Sequence, residues 1–306
     1  MTGPIDTRTP VQVELSVPAD DDVSLAGTLT LPARPGPHPA ALLLPGSGRL
    51  DRDANAGRLR MNLGPALAAE LARHGVASYR YDRRGAGKTP GDWYRVGFHQ
   101  NRLDAAAALR ALRAQPGIAA VGVAGHSEGA VHAAALAAHE NVDAAVLLAG
   151  YARPGQAALR GQAARMTGHL PAPLRALATR LGPFATRQTE RITGCTADVL
   201  RIGPSRLNAR WFREQSVYDP RADLAAIRIP LLAITGGADL QVDPADLAVM
   251  AQLVPHADTR CVPGLTHLLR VDSRAPSPLA YPRLLRRPVD PGLLNAVGTW
   301  LADHLR

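Results

Sequence analysis

The part of the sequence that decides the fold is residues 119–129, which read AAVGVAGHSEG. Residues 119–124 are all apolar or glycine, as in a strand that is buried on both faces of a sheet. The last five residues fit the pattern G-x-S-x-G with Ser127 at the centre, and residues 128–139 continue as a helix of small side chains. In this pattern a buried strand turns sharply into a helix, and the serine hydroxyl is left exposed. The stretch therefore predicts a strand, a tight turn at Ser127 and a helix.

The same alternation of strands and helices extends to both sides of this stretch. Further strands are predicted at residues 11–17, 24–31, 40–44, 76–81, 143–149, 229–235 and 259–262. Further helices are predicted at residues 59–74, 101–114, 244–253 and 291–305. The first two strands alternate apolar and polar residues, which is typical of an antiparallel hairpin, whereas the later strands alternate with helices as in βαβ units. The predicted fold class is α/β, with a mostly parallel central sheet flanked by helices.

Residues 151–221 interrupt this alternation. They are rich in Arg and Gln and contain no clear buried-strand run. We interpret them as a helical cap inserted between two strands of the core, and we refer to them as the insertion. The predicted core then consists of residues 1–150 and 222–306.

A serine hydroxyl is a poor nucleophile and needs a base, which an acidic residue must orient. After a strand–serine–helix turn of this type, the expected chain order is serine, acid, histidine. His267 is the histidine that lies in a late loop after a predicted strand. The competing histidines lie at helix ends, within helices or directly beside the serine: His126, His132, His139, His256 and His304. We predict that Ser127 is the nucleophile and His267 the base.

The acid is expected at the end of the strand that precedes this histidine. Asp239 follows the run at residues 229–235 directly and is the first candidate. Asp243 and Asp246 are close competitors, although Asp243 resembles an N-cap for a helix beginning at Pro244. The sequence favours Asp239 and leaves Asp243 open.

Attack by serine on a carbonyl produces an oxyanion that needs preorganised N–H donors. One donor is expected to be the backbone N–H of Glu128, at the start of the helix after the nucleophile. The second is expected from the loop after an early strand, where Pro45-Gly46-Ser47-Gly48 is found. We predict an oxyanion hole formed by the N–H groups of Ser47 and Glu128.

With these motifs in place, the chain resembles the α/β-hydrolase superfamily and, within it, the bacterial serine carboxylesterases. The matching pieces are Pro45–Gly48, residues 51–53 (DRD), 81–88 (YDRRGAGK), 125–129, 236–242 (GGADLQV) and 263–268 (PGLTHL). The early loop opens with Pro45, where many hydrolases have a histidine that supports the shape of the loop. The resemblance implies hydrolysis of acyl esters through an acyl-enzyme, without metal or cofactor.

The same chemistry leaves several reactions open. An acyltransferase, a thioesterase or a lactonase could use the same three residues, because fold and triad do not choose the leaving group or the acceptor. A non-catalytic protein that binds a small ligand is a more remote alternative. The sequence indicates neither the acyl group nor the alcohol, nor the oligomeric state.

Composition excludes other classes of protein. The 306 residues are 46% hydrophobic and contain no apolar run of the about 18 residues that a membrane span requires. No secretory signal is visible at the start, and the two cysteines, Cys195 and Cys261, are far apart, so a reducing cytoplasm is predicted. Although the net charge is +9, no nucleic-acid-binding module is found. The resemblance to the carboxylesterases implies a small-molecule acyl ester as the partner, and neither nucleic acid nor a membrane span is predicted.

The positive charge is concentrated in the insertion, which contains twelve arginines and four acidic residues. Its balance of +8 accounts for nearly all of the +9 of the chain. We interpret this as a solvated helical face. The alternative is that the insertion attracts an anionic substrate by electrostatic steering.

Overall fold

The structure is a computed structural model that describes residues 9–306. Its strands are β1 (Val11–Pro18), β2 (Ser24–Leu31), β3 (His38–Leu44), β4 (Asn55–Ala56), β5 (Leu59–Arg60), β6 (Ala77–Tyr81), β7 (Ile118–His126), β8 (Ala145–Leu148), β9 (Val199–Ile202), β10 (Ser205–Asn208), β11 (Leu231–Gly236) and β12 (Asp258–Val262). Eight of them form one sheet in the order β1-β2-β6-β3-β7-β8-β11-β12. The other four form two small antiparallel hairpins, β4–β5 and β9–β10.

The central sheet is mostly parallel. β1 pairs with β2, and β2 with β6, in antiparallel register, whereas every pairing from β6 to β12 is parallel. Because the carboxyl ends of parallel strands lie along one edge, the loops after β3, β7, β11 and β12 all open on the same side. The predicted α/β fold with a mostly parallel sheet is confirmed.

Helices cover both faces of the sheet. They are α1 (Leu63–Arg73), α2 (Phe98–Arg113), α3 (Glu128–His139), α4 (Gly155–Gly168), α5 (Ala172–Thr193), α6 (Ala209–Val217), α7 (Arg221–Ala226), α8 (Asp246–Leu253), α9 (Tyr281–Leu284) and α10 (Pro291–His304). α1 and α10 pack on one face, and α2, α3, α7 and α8 on the other. Along β3, Leu42 and Leu44 face one helix layer and Ala41 and Leu43 the other, which explains why this strand is apolar throughout.

Two local features differ from what the sequence predicts. The helix expected from residue 59 begins only at Leu63, because residues 55–60 form the β4–β5 hairpin and Asn62 has a left-handed φ of 47°. Within the insertion, the β9–β10 hairpin was not predicted. Its side chains are exposed or half-buried except for Asn208, so no buried apolar run marks it in the sequence.

The insertion contains α4, α5, the β9–β10 hairpin and α6. Its two ends meet at its base, where the N–H of Gly155 donates to the carbonyl of Tyr218 at 2.8 Å. A side chain at Gly155 would collide with the carbonyl of Gln215, because an added Cβ would lie 1.8 Å from that oxygen. The base is therefore a tight backbone contact between the incoming and outgoing chain.

None of the helices in residues 9–306 combines the length and the hydropathy needed to cross a membrane.

Candidate active site

Ser127 lies between β7 and α3 in a strained backbone conformation, with φ 56° and ψ −119°. Its N–H donates to the carbonyl of Leu148 at 2.9 Å. The flanking glycines are required by close backbone approach. An added Cβ would lie 2.0 Å from the carbonyl oxygen of Gly129 if placed on Gly125, and 2.3 Å from that of Leu44 if placed on Gly129. The turn therefore presents the serine hydroxyl at the carboxyl edge of the sheet.

Two further predicted residues meet this hydroxyl. The Nε2 atom of His267, in the loop after β12, lies 3.1 Å from the Oγ atom of Ser127. The Nδ1 atom of the same ring lies 2.9 Å from Oδ2 of Asp239, which follows β11. His267 and Asp239 are both buried. The structure thus brings together three residues that are 28 and 140 positions apart in the chain.

Asp239 is held as a carboxylate by its surroundings. Its Oδ1 accepts the backbone N–H groups of Gln241 at 2.7 Å and Val242 at 2.9 Å. Burial alone would raise the pKa of Asp239, but the charge and hydrogen bond of His267 and these two N–H groups outweigh it, and the pKa lies below its ordinary value. An ionised carboxylate beside Nδ1 favours a proton on that nitrogen and leaves Nε2 of His267, which faces Ser127 Oγ, as a hydrogen-bond acceptor.

The competing aspartates are placed elsewhere. Asp243 accepts the N–H of Ala245 at 3.1 Å and pairs with Arg165 at 3.2 Å. Asp246 pairs with Arg153 at 2.7 Å and begins α8, which was predicted to begin at Pro244. Of the three candidates, Asp239 is the one hydrogen-bonded to His267.

The predicted oxyanion donors lie beside Ser127. Ser47, Ser127 and Glu128 line the same cavity. Among the hydrogen bonds of the described residues, the backbone N–H groups of Ser47 and Glu128 have no acceptor. The loop that carries Ser47 is held by Arg83, whose Nη2 donates to the carbonyl of Pro45 at 3.1 Å.

Sequence reasoning missed the role of the Glu128 side chain, which is completely buried. Its Oε1 accepts from Arg83 at 2.9 Å, from His132 at 3.1 Å and from Asn101 at 3.2 Å. Its Oε2 accepts the indole N–H of Trp211 on α6 at 2.9 Å. Burial alone would raise the pKa of Glu128, but the charge of Arg83 and the hydrogen bonds lower it to about 2. Through Trp211, this carboxylate joins the insertion to the turn that carries Ser127.

For His126, which adjoins Ser127, the sequence predicts a structural role in the turn and not that of the base. Its Nε2 donates to the backbone carbonyl of His267 at 2.9 Å, and the two rings lie 4.9 Å apart. Burial, and then the charge of His267, lower the pKa of His126 to about 3. His126 therefore remains neutral and supports the loop that carries His267.

The cavity above Ser127 has a volume of about 120 Å³. Core and insertion both line it, through Ser47, Ser127, Glu128, Tyr151, Arg153, Ala158, Leu159, Gln162, Arg165, Trp211, Gln215, Gln241, Val242 and Asp246. Of the twelve arginines of the insertion, Arg153 and Arg165 reach it, and each is paired with an aspartate. The cavity is therefore polar, but its lining shows no large excess of positive charge.

Within residues 9–306, no group of three or more His, Cys, Asp or Glu side chains is placed to hold a metal ion. Cys195 and Cys261 are both free thiols.

Comparison with known proteins places the chain in a family. A model of the family described as serine aminopeptidase, S33 (Hydrolase_4), matches residues 61–274, which is more than half of the chain. Esterase EstD of Thermotoga maritima is 24% identical over 285 residues, or 90% of this chain. The match spans 65% of the length of that relative.

Solved structures show the same fold. Est1E from Butyrivibrio proteoclasticus, with ferulic acid bound, superposes with a TM-score of 0.65 and 17% identity. The aligned region spans 95% of this chain and 98% of Est1E. An esterase from Pyrococcus furiosus superposes with a TM-score of 0.65 and 15% identity. The aligned region spans 100% of this chain and 99% of that esterase. The resemblance to the α/β-hydrolases is confirmed, and the chain belongs to the serine aminopeptidase S33 family.

Proposed function

We propose that this protein is a serine hydrolase that cleaves carboxylic esters through an acyl-enzyme. The observation that carries the proposal is the continuous hydrogen-bonded chain from Ser127 Oγ to His267 Nε2 and from His267 Nδ1 to Asp239. A nucleophile, a base and an orienting acid in this geometry form the constellation that acyl transfer requires.

The reaction follows from the atoms in place. Ser127 Oγ attacks the ester carbonyl while His267 Nε2 takes the hydroxyl proton. The oxyanion that forms is bound by the N–H groups of Ser47 and Glu128, each worth about 3 kcal/mol in transition-state stabilisation. The protonated His267 then gives its proton to the departing alcohol, and an acyl ester of Ser127 is left. A water molecule, deprotonated by the same nitrogen, releases the carboxylic acid and restores the serine.

The insertion acts in this proposal as the cap predicted from the sequence. Tyr151, Leu159 and Trp211 form part of the cavity wall above Ser127. A volume of about 120 Å³ is small compared with the roughly 300 Å³ at the lower end for typical ligand pockets. We therefore expect short acyl groups to be preferred over long ones.

The anionic substrate considered above has limited support. The arginines that reach the cavity are neutralised by Asp243 and Asp246, so we propose a small polar or uncharged ester as the substrate. A salt titration separates the two cases. If kcat/KM for an anionic ester falls steeply with salt while that for a neutral ester stays flat, the anionic substrate is favoured.

A fluorophosphonate probe tests the chemistry. The wild-type protein should be labelled, and Ser127→Ala should not be labelled although it keeps the same circular dichroism spectrum. Absence of labelling in a folded wild-type protein would refute the serine mechanism. A p-nitrophenyl ester series, run beside thioester and lactone panels and with an added alcohol as acceptor, then distinguishes the esterase from the alternatives that share its triad. We also propose that the protein is located in the cytoplasm, as predicted from the sequence.

A further inference from the structure

Helix α5 presents an apolar stripe that nothing in residues 9–306 covers. Leu174, Leu177, Leu181 and Phe184 are 42%, 54%, 53% and 54% exposed. At about 100° per residue, these four side chains fall within an arc of about 80° on the helix. Scattered exposed leucines are ordinary, but a continuous stripe on one helix indicates a contact surface.

A row of arginines borders this stripe. Arg180, Arg187 and Arg191 fall within an adjoining arc of about 40°. All three are exposed, and among the described residues none of them has a carboxylate partner. Glu190, the single acidic residue of α5, lies on a different side of the helix. The surface is thus apolar along its centre and cationic along one edge.

A separate groove of the insertion adjoins the candidate active site. A groove of about 360 Å³ lies between α4, α5 and α6 and is lined mostly by apolar atoms, with Met166 and Phe212 among its walls. Leu159 and Gln162 of α4 line both this groove and the cavity above Ser127. From α5 the groove is lined by Thr189 and Thr193, which lie on a different side of the helix from the apolar stripe, so the groove leaves the stripe exposed.

We propose that α5 docks on an anionic lipid surface, with its leucines and phenylalanine in the acyl boundary and its arginines among the head groups. Amphipathic helices with basic residues beside an apolar face bind at such interfaces without crossing the bilayer. Charge complementarity favours this occupant over a second copy of the chain. Two insertions, each with a balance of +8, would repel one another, whereas an anionic surface attracts each of them.

The test is co-sedimentation of the full chain with large unilamellar vesicles. Vesicles of phosphatidylcholine with a quarter phosphatidylglycerol should bind the protein at least about tenfold more tightly than phosphatidylcholine alone. Added salt should remove most of the difference. The double variant Leu177→Ser/Leu181→Ser and the triple variant Arg180→Gln/Arg187→Gln/Arg191→Gln should each weaken binding by about tenfold or more.

Matched controls remove the same chemistry from other surfaces. Val217→Ser/Leu279→Ser removes two apolar side chains that are 81% and 57% exposed, and Arg58→Gln/Arg228→Gln/Arg286→Gln removes three exposed arginines outside α5. Both controls should bind within about twofold of wild type. All variants replace exposed side chains, and their Tm should match wild type.

Three results would overturn the proposal. The folded wild-type protein could fail to bind anionic vesicles. The α5 variants could bind no more weakly than their matched controls. The chain could form a lipid-free dimer that Leu177→Ser/Leu181→Ser dissociates, which would assign the stripe to a second copy.

Discussion

The charged side chains around Ser127 and those on helix α5 of the insertion differ in burial and in pairing. Glu128, Asp239 and Arg83 are buried, and each has at least two polar partners. On α5, Arg180 and Arg187 are exposed and have no carboxylate partner among the described residues. A buried charge near Ser127 is costly unless it is fully paired, so each partner fixes a neighbour in place. The exposed arginines of α5 do not fix neighbouring side chains in this way, and they are accessible to a second surface.

Replacing the orienting acid should give the largest effect. In Asp239→Asn, His267 loses the carboxylate that fixes its tautomer, and kcat for ester hydrolysis should fall by about 10⁴-fold while the fold is retained. Steady-state kinetics and circular dichroism measure both. Asp243→Asn is the matched control and should keep kcat within about tenfold, because Asp243 pairs with Arg165 instead. The reverse pattern would assign the acid to Asp243.

Replacing a glutamate by glutamine should lower the free energy of unfolding much more near Ser127 than on α5. Glu128→Gln leaves buried Arg83 without its charged partner and should lower the free energy of unfolding by about 3–5 kcal/mol. Glu190→Gln, on the exposed surface of α5, should change it by no more than about 0.5 kcal/mol. Urea unfolding followed by circular dichroism measures both values. Equal losses would contradict the contrast between the two regions.

Trp211 carries the direct hydrogen bond between the insertion and Glu128. Trp211→Phe removes it, and a double-mutant cycle with Glu128→Gln should give a coupling energy of about 1–3 kcal/mol. Trp300→Phe removes the same atoms from α10, where no carboxylate of residues 9–306 accepts from the indole, and its cycle should give a coupling energy near zero. A coupling energy near zero for Trp211 would mean that the hydrogen bond between Trp211 and Glu128 does not couple α6 to the turn at Ser127.

The smallest expected effect is a pH dependence of stability confined to the core. The pKa of His126 is about 3 in the folded chain against 6.5 for an ordinary histidine. Between these values the unfolded chain binds a proton that the folded chain does not, so acidification favours unfolding. The Tm should therefore fall by a few degrees from about pH 7 to about pH 5, and by less in His126→Gln. Thermal scans at both pH values test this, and an equal fall in the variant would contradict it.

The core was predictable because its strands bury both faces. Apolar runs such as residues 40–44 and 119–124 leave little choice of structure, and close backbone approach dictates both glycines around Ser127. The spacing of Asp239 and His267 after two strands of the same parallel sheet was enough to bring them to one edge. Each of these features is marked by residues that are close together in the sequence, and local sequence patterns therefore predict it.

What the sequence could not indicate depends on contacts between distant segments. Glu128 looked like a generic residue of the turn, and its partners Arg83 and Trp211 come from loops and helices 45 and 83 positions away. The insertion buries few side chains, so its β9–β10 hairpin leaves no periodic apolar signal. The dipeptide Gly203-Pro204, which is typical of a turn, is a sign that the sequence did offer.

The backbone contact between Gly155 and Tyr218 has a consequence for how such chains diversify. Because Gly155 and Tyr218 are in backbone contact, we expect that the 62 residues between them can lengthen, shorten or be exchanged while the path of the remaining chain stays the same. The entropic cost of a longer loop closed at such a point grows only as the logarithm of its length. Recombination at this point would exchange the pocket wall and the basic surface as a single module, and the same point is where a chimaeric enzyme should be joined.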